Sequence, residues 1–276
     1  MSLFHIVIIA LIQGITEFLP ISSSGHLILL PGLTDIPDQG LTIDVAVHVG
    51  TLVAVLFYFW REVAGMIGGF FRALRGRRSE DGRLLLHVVI ATIPVMVAGY
   101  FVAVYAGDAL RSVEIVGWTT LVFGVLLYIA DKVGMTIRRI EHLNVGSAFL
   151  IGLAQAIALI PGTSRSGIVM TAGRFYGFER ADAARFAMLT SIPTIIAAGA
   201  LETWEVYEAG AWEVGHDAVI AALISFVVAL AAIAWLMQWL RISNFSIFVG
   251  YRVLLGTGLL VWFYTGGDLS GLLNSV

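Results

Sequence analysis

The sequence predicts an all-α integral membrane protein: an inverted-topology repeat of six transmembrane helices plus two re-entrant helix–loop–helix elements. Three observations carry that expectation. Of 276 residues, 59% are hydrophobic and 13% charged, against roughly half and about a quarter in an ordinary soluble domain, and mean hydropathy is +0.92. The apolar residues fall in long stretches without the short alternating segments of a barrel. Two of the apolar regions are broken in the middle by polar loops that resemble each other. This composition excludes a soluble globular enzyme, a nucleic-acid binder and a disordered chain. The partners it implies are membrane lipids and no nucleic acid.

The elements follow in order. Residues 3–30 form the first broken region, each half too short to cross roughly 30 Å of hydrocarbon. Its opening run, MSLFHIVIIALIQGITEFLP, lacks a basic n-region and a small-residue cleavage site, so it reads as mature protein and not as a signal peptide. Asp44–Trp60 is the first span and Leu84–Ala106 the second, with Arg61, Arg72, Arg75, Arg77, Arg78 and Arg83 crowding the loop between them. Ile115–Ala130 is the third span, and Lys132, Arg138 and Arg139 follow it. Residues 145–178 form the second broken region, with Arg174, Arg180 and Arg185 at its exit. Ala183–Leu201, Ala218–Leu240 and Phe245–Tyr264 complete six spans, Arg241 marking one junction and Arg252 lying inside the last. Broken helices at membrane depth are tolerated only where they are buried in protein or line a wet cavity.

The loops between basic ones are acidic: Asp35, Asp38 and Asp108, then Glu202, Glu205, Glu208, Glu213 and Asp217, with Arg111 the basic residue near an acidic turn. Basic loops face the cytoplasm. The two signs alternate correctly through six spans and put both termini outside, with the 202–217 run as a solvated external loop.

The broken regions are the repeat. Gln13-Gly-Ile-Thr-Glu17-Phe-Leu-Pro20-Ile-Ser-Ser-Ser-Gly25 aligns with Gln155-Ala-Ile-Ala-Leu159-Ile-Pro161-Gly-Thr-Ser-Arg-Ser-Gly167, an offset of 142 from Gln13 to Gln155. Halves 1–142 and 143–276 of a single membrane domain would each hold one re-entrant element and three spans. Three is odd, so the second half is inverted, and the functional site is expected where the two loops meet.

With zero cysteines there are no disulfides and no thiolate chemistry. Glu17 is an ionisable group inside an apolar segment, a site by default, and shares a helix face with Gln13. After it, Pro20 stops the helix, Ser22, Ser23 and Ser24 offer hydroxyls, Gly25 permits a close turn, and His26 can exchange a proton near neutral pH. The partner loop holds Thr163, Ser164, Arg165, Ser166 and Gly167; Arg165 offers a planar fork of donors matched to phosphate and needs an anionic partner, either Glu17 or a bound phosphate. His48, Thr171 and Arg252 are further candidates to line the cavity; His5, His87, His142 and His216 read as interface or core residues. One carboxylate, one histidine, hydroxyls and an arginine on Gly-bearing loops suit phosphoryl transfer. A transporter or flippase for a phosphate-bearing lipid or anion would share the inverted repeat. An intramembrane serine protease would gain nothing from Arg165, and a phosphatidic-acid-phosphatase-type enzyme would want a His and Asp after the Ser-Arg pair.

On these residues the sequence resembles the undecaprenyl-diphosphatase family of the bacitracin-resistance type. Gln13 and Glu17 match its [E/Q]xxxE motif, Ser22 to His26 its Ser-Ser-x-Gly-His, and Pro161 to Ser166 its PGxSRSxxT, whose final threonine falls at Val169 here with Thr171 two places later. The resemblance implies hydrolysis of undecaprenyl diphosphate to the monophosphate, recycling a lipid carrier for cell-wall polymers in the inner (plasma) membrane, from a site open to the external or periplasmic face. It implies a divalent cation, Mg2+ or Ca2+, and Glu17 as general base or metal ligand, with Gln13, where some members have Glu, either a second ligand or an orienting group. It also implies Ser23 as nucleophile with Ser22 its alternative, His26 handling protons, and Ser164 and Arg165 binding the diphosphate. Serine or an activated water as attacking group, pairing into a homodimer, and flipping of the product stay open.

Overall fold

The fold comes from a computed structural model that describes residues 2–27, 40–105, 110, 112–208 and 215–266. The acidic positions Asp35, Asp38, Asp108 and Glu213, and Arg111, lie outside the described residues. Leu3–Thr16 is α1, begun where the Ser2 hydroxyl accepts the His5 N–H at 3.4 Å. Then come α2 (Leu41–Tyr58), α3 (Trp60–Leu74), α4 (Glu80–Tyr105), α5 (Val113–Val133), α6 (Val145–Ala156), α7 (Arg165–Phe175), α8 (Arg180–Glu208), α9 (His216–Ile242) and α10 (Ser246–Tyr264). Among the described residues, six helices are long and apolar enough to cross a membrane: α2, α4, α5, α8, α9 and α10. They are the six expected spans, with ends shifted by a few residues. The chain is therefore a multi-pass membrane protein.

α1, α6 and α7 have 14, 12 and 11 residues. At about 1.5 Å per residue none crosses the hydrocarbon alone. Among the described residues the sole β pairing is a bridge between Arg138 and Phe178.

Packing runs in pairs. α1 lies on α9 and α6 on α4; α2 lies on α9 and α8 on α4; α5 pairs with α10, and α2 with α8. Small residues allow the close approaches, as helices in lipid require. A Cβ on Gly50 of α2 would stand 2.3 Å from the Ala222 carbonyl of α9. The core gathers Phe18, Phe178, Phe186 and Phe245 around α7 and α8. Outward residues stay apolar, such as Phe101, Leu223 and Leu254 at 53%, 60% and 76% exposure, as a lipid-facing surface demands.

Three readings are corrected. The arginine-rich stretch after the first span is not all loop: residues 60–74 form α3, because apolar residues recur there at helical spacing between the arginines. The acidic run is not loop throughout, since α8 continues through Glu202 to Glu208. Arg174 is not a solvated marker of orientation. It is fully buried, donates from Nε to Asp131 Oδ1 at 3.1 Å and from Nη2 to the Gly134 carbonyl at 3.0 Å, and also reaches the Phe178 carbonyl. Arg180 shares the same Asp131 oxygen at 2.7 Å. Asp131 thus joins Glu17 as a buried acid and ties the end of α5 to the end of α7 and the start of α8.

Candidate active site

Two serine turns build the site. α1 ends at Thr16, with Glu17 N–H still bonded to the Gln13 carbonyl at 3.0 Å. Pro20 lacks the N–H to continue, and the chain turns through Ser22 into helical residues 23–27. Ser22 has φ +74° and Ser164 φ +71°, the two non-glycine residues with positive φ among those described. Such strain in a side-chain-bearing residue persists where the surroundings fix it, typically at a functional site. In the first turn Ser22 Oγ accepts the Gly25 N–H at 3.3 Å and lies 3.4 Å from Ser24 Oγ. In the second, Ser164 Oγ accepts the Gly167 N–H at 3.1 Å and lies 3.2 Å from Ser166 Oγ. Each turn leaves a helix N-terminus with its first N–H groups presented, the geometry that receives an anion.

The turns touch. Ser166 Oγ donates to the Leu19 carbonyl at 3.0 Å, and a Cβ on Gly25 would stand 3.5 Å from Gly162 Cα. Gly162, at φ +88°, has no room for a side chain: a Cβ would sit 2.1 Å from Thr119 Oγ1, whose hydroxyl donates to the Pro161 carbonyl at 2.6 Å.

Glu17 is the centre of the polar network. Its Oε2 accepts from Gln13 Nε2 at 3.0 Å and from Ser23 Oγ at 2.7 Å. Its Oε1 accepts from Arg165 Nη2 at 2.8 Å, and both side chains are largely buried. Of the two partners expected for Arg165, Glu17 is the one this structure pairs with it. A guanidinium has five donors; Arg165 uses a second on the Ala187 carbonyl at 3.5 Å. Ser23 is half-buried and Ser24 exposed. A serine hydroxyl bonded to a carboxylate is the arrangement that a nucleophile and its base require.

His26 stands apart from Glu17. Its Nδ1 lies 2.6 Å from the Ser22 carbonyl and so carries the proton, which leaves Nε2 to accept from Tyr251 Oη at 2.5 Å. The rings stack at 5.7 Å with 11° between planes. Tyr251 is a site residue the sequence did not single out; nothing distinguishes a tyrosine in an apolar span except its neighbour Arg252.

Arg252, a further candidate from the sequence, is bonded to the backbone of both turns. Fully buried, it donates to the carbonyls of Pro20 at 3.3 Å, Thr120 at 3.1 Å, Gly162 at 3.0 Å and Thr163 at 2.9 Å. One guanidinium therefore staples both turns to α5. His48 of α2 is bonded through Nδ1 to the Asp44 carbonyl at 2.7 Å and lies within Coulombic reach of Glu17. Thr171 spends its hydroxyl on the Gly167 carbonyl at 2.7 Å, within its own helix, and Val169 is packed in the core. Thr163 is buried with no partner for its hydroxyl.

Among the described residues no three His, Cys, Asp or Glu side chains cluster as a complete cation site. The donor set still fits a hard cation that keeps several ligands of its own: Glu17 offers carboxylate oxygens, and the buried Gln13 Oε1 beside it has no hydrogen-bond partner. Mg2+ commonly takes one or two protein oxygens and completes its shell with water and substrate phosphates.

An apolar groove of about 590 Å³ begins at the first turn, where Leu19, Ile21 and Tyr251 form its inner wall, and runs along Val228, Ala231 and Trp235 of α9. A polar cradle and an apolar trough thus share a border at Tyr251.

Comparison with known proteins gives one consistent answer. The model of the family described as bacitracin resistance protein BacA matches residues 6–258. An undecaprenyl-diphosphatase of Roseobacter denitrificans is 51% identical over 267 residues, covering 96% of this chain and 100% of the relative. That of Jannaschia sp. is 53% identical over 266 residues, with the same coverage. Undecaprenyl-diphosphatase 1 of Rhodospirillum rubrum is 49% identical over 282 residues, with both chains fully covered.

Proposed function

The chain belongs to the BacA family, and from that premise we propose that it hydrolyses undecaprenyl diphosphate to undecaprenyl phosphate and inorganic phosphate, returning a lipid carrier to cell-wall synthesis. The observation that carries the chemistry is the Ser23–Glu17–Arg165 network, in which a nucleophile and a phosphate-binding cation each lie within hydrogen-bond distance of the base between them.

The diphosphate lies between the two serine turns, and the polyprenyl tail leaves along the groove past Tyr251. Ser23 Oγ attacks the terminal phosphorus and gives its proton to Glu17. The new Oγ–P bond forms as the bridging P–O bond breaks, and the lipid monophosphate departs. The first proton leaves Glu17 with the departing lipid phosphate; water then attacks the phosphoserine, giving its proton to Glu17, which returns it to Ser23 Oγ as the Oγ–P bond breaks and phosphate leaves. Arg165 and the N–H groups at the two helix starts neutralise the charge on the transferring group, where most of the catalysis in phosphoryl transfer arises. His26, fixed by Tyr251 and the Ser22 carbonyl, serves proton exchange at the rim. Glu17 and Gln13 would hold a divalent cation, Mg2+ or Ca2+, which when bound supplies further charge neutralisation at the phosphate oxygens.

The inverted repeat of halves 1–142 and 143–276, with two re-entrant elements, belongs to the same proposal. The helix pairing supports it. Exchanging the halves turns α1 on α9 into α6 on α4 and α2 on α9 into α8 on α4, while α5 with α10 and α2 with α8 map onto themselves. Ser22 and Ser164 repeat φ, cap and serine partner at the 142-residue offset. The positive-inside pattern supports an inner-membrane protein whose site opens to the external or periplasmic side.

Purified protein should release inorganic phosphate from a C55 or C15 diphosphate with Mg2+ or Ca2+ present. No release would end the enzyme reading, and uptake of labelled phosphate or lipid headgroups by proteoliposomes would put a transporter in its place.

A further inference from the structure

α3 takes no part in this chemistry and, among the described residues, has no counterpart in the second half. It rests against one end of the bundle. Gly69 faces the Gly82 backbone at the start of α4, Arg72 Nη2 meets Asp81 Oδ2 at 2.6 Å, and Glu62 Oε1 meets Arg185 Nη2 at 3.4 Å near the start of α8. Only Met66 and Gly69 are buried. One face that α3 leaves outside is apolar: Trp60, Ile67, Phe71 and Leu74 are 58%, 54%, 55% and 69% exposed. Their spacing of seven, four and three residues sets them on one helix face.

A span is not the explanation. Fifteen residues reach about 22 Å, short of the hydrocarbon thickness. Arginine borders the apolar face at both ends of the helix, with Arg61 beside Trp60 and Arg72 and Arg75 beside Leu74, and Arg77 and Arg78 follow directly. The Arg61 guanidinium lies over the Trp60 ring at 5.4 Å. Beside that pair, at the junction of α2 and α3, a cleft of about 520 Å³ is lined by Phe57, Tyr58, Trp60 and Leu230. An apolar trough next to an aromatic ring and an exposed arginine has the chemistry of one acyl chain joined to one anionic headgroup.

We propose that α3 is an interfacial anchor that binds anionic phospholipid, with an acyl chain in the Phe57–Trp60 cleft and headgroup phosphates on Arg61, Arg75 and Arg77. Amphipathic helices with arginine beside a Trp/Phe/Leu face lie in the plane of the bilayer interface and are drawn to anionic lipid. A second copy of this chain is the poorer occupant, because an isologous contact sets each patch against itself and would bring one arginine rim onto the other.

The absence of cysteine makes the test clean. A spin label is placed on Ile67→Cys and, separately, on Phe71→Cys in full-length protein in vesicles of phosphatidylcholine with phosphatidylglycerol. Collisions with oxygen should exceed those with a water-soluble nickel chelate. Higher nickel access would place the face in water and overturn the proposal; shielding from both reagents with dipolar coupling between copies would assign it to a dimer and overturn it as well. For the headgroup, lipid retained by purified protein is counted by native mass spectrometry. Arg61→Gln/Arg75→Gln/Arg77→Gln, which spares the Arg72–Asp81 pair, should lower phosphatidylglycerol relative to phosphatidylcholine at least about fivefold, the scale of a single arginine at an anionic surface. Millimolar inorganic phosphate should leave the wild-type ratio unchanged. An unchanged ratio in the variant, or displacement by free phosphate, would contradict lipid recognition.

Discussion

Arg165 reaches Glu17 across 148 residues of sequence, Nη2 to Oε1 at 2.8 Å. This contact joins the two broken segments at their polar centres, and Ser23 meets the other carboxylate oxygen. A buried ion pair is weak evidence for stability, since desolvation offsets much of the attraction. Its value here is arrangement. The carboxylate is held beside the serine, and in the proposed mechanism the guanidinium exchanges it for a diphosphate entering between the turns.

Ser23 should be labelled by its substrate. Rapid quench of wild-type enzyme with terminally labelled C15 diphosphate should yield an acid-stable phosphoserine in the peptide containing Ser22–Ser24, absent from Ser23→Ala. Label-free enzyme during turnover would transfer the attacking role to water activated by Glu17.

Tyr251→Phe keeps the ring stacked on His26 and removes the hydroxyl that occupies Nε2. A hydrogen bond of this kind is worth about 1 kcal/mol net, so kcat should fall roughly tenfold or less with thermal stability unchanged. Tyr251→Ala also removes the wall between groove and cradle, and should raise KM for C55 diphosphate as well. Equal kinetics in Phe and wild type would show that His26 needs no such partner.

Arg252→Lys retains charge but cannot serve carbonyls on both turns from one ammonium. Leaving buried carbonyls unpaired costs about 1–3 kcal/mol each. The variant should melt lower in detergent and lose at least about tenfold in kcat/KM, a combination that Arg61→Gln on the surface should not produce. Wild-type melting would contradict the stapling role.

Asp131→Asn strands two arginines, one of them fully buried. Breaking such a group typically costs about 3–5 kcal/mol. Melting temperature should fall while KM of the folded fraction stays near wild type; the reverse pattern would place Asp131 in the chemistry.

Spans and site centre were legible for the same reason: in so apolar a chain, a charge out of place is conspicuous. Glu17, Arg165 and the serine turns stood out as polar breaks, and the structure gathers them. Arg174 and Asp131 escaped because they lie among loop charges, where a buried arginine and a solvated one look alike in sequence; only the fold brings Asp131, 43 residues away, to Arg174. α3 escaped because its arginines outweighed a helical apolar stripe. Arg252 was visible as an intramembrane charge, yet its guanidinium donates to backbone carbonyls, partners that carry no sequence signature. Tyr251 is the same case seen from the other side: its meaning depends on a histidine 225 positions earlier.

The claim that both turns form one diphosphate site through Glu17 and Arg165 is tested most directly by a double-mutant cycle on C55 diphosphate turnover. Glu17→Gln and Arg165→Met should each lose at least ~10²-fold in kcat/KM. The double variant should fall no more than about tenfold below the worse single one, as residues acting as a unit do. Losses that simply multiply, or near-normal turnover in either single variant, would contradict the account.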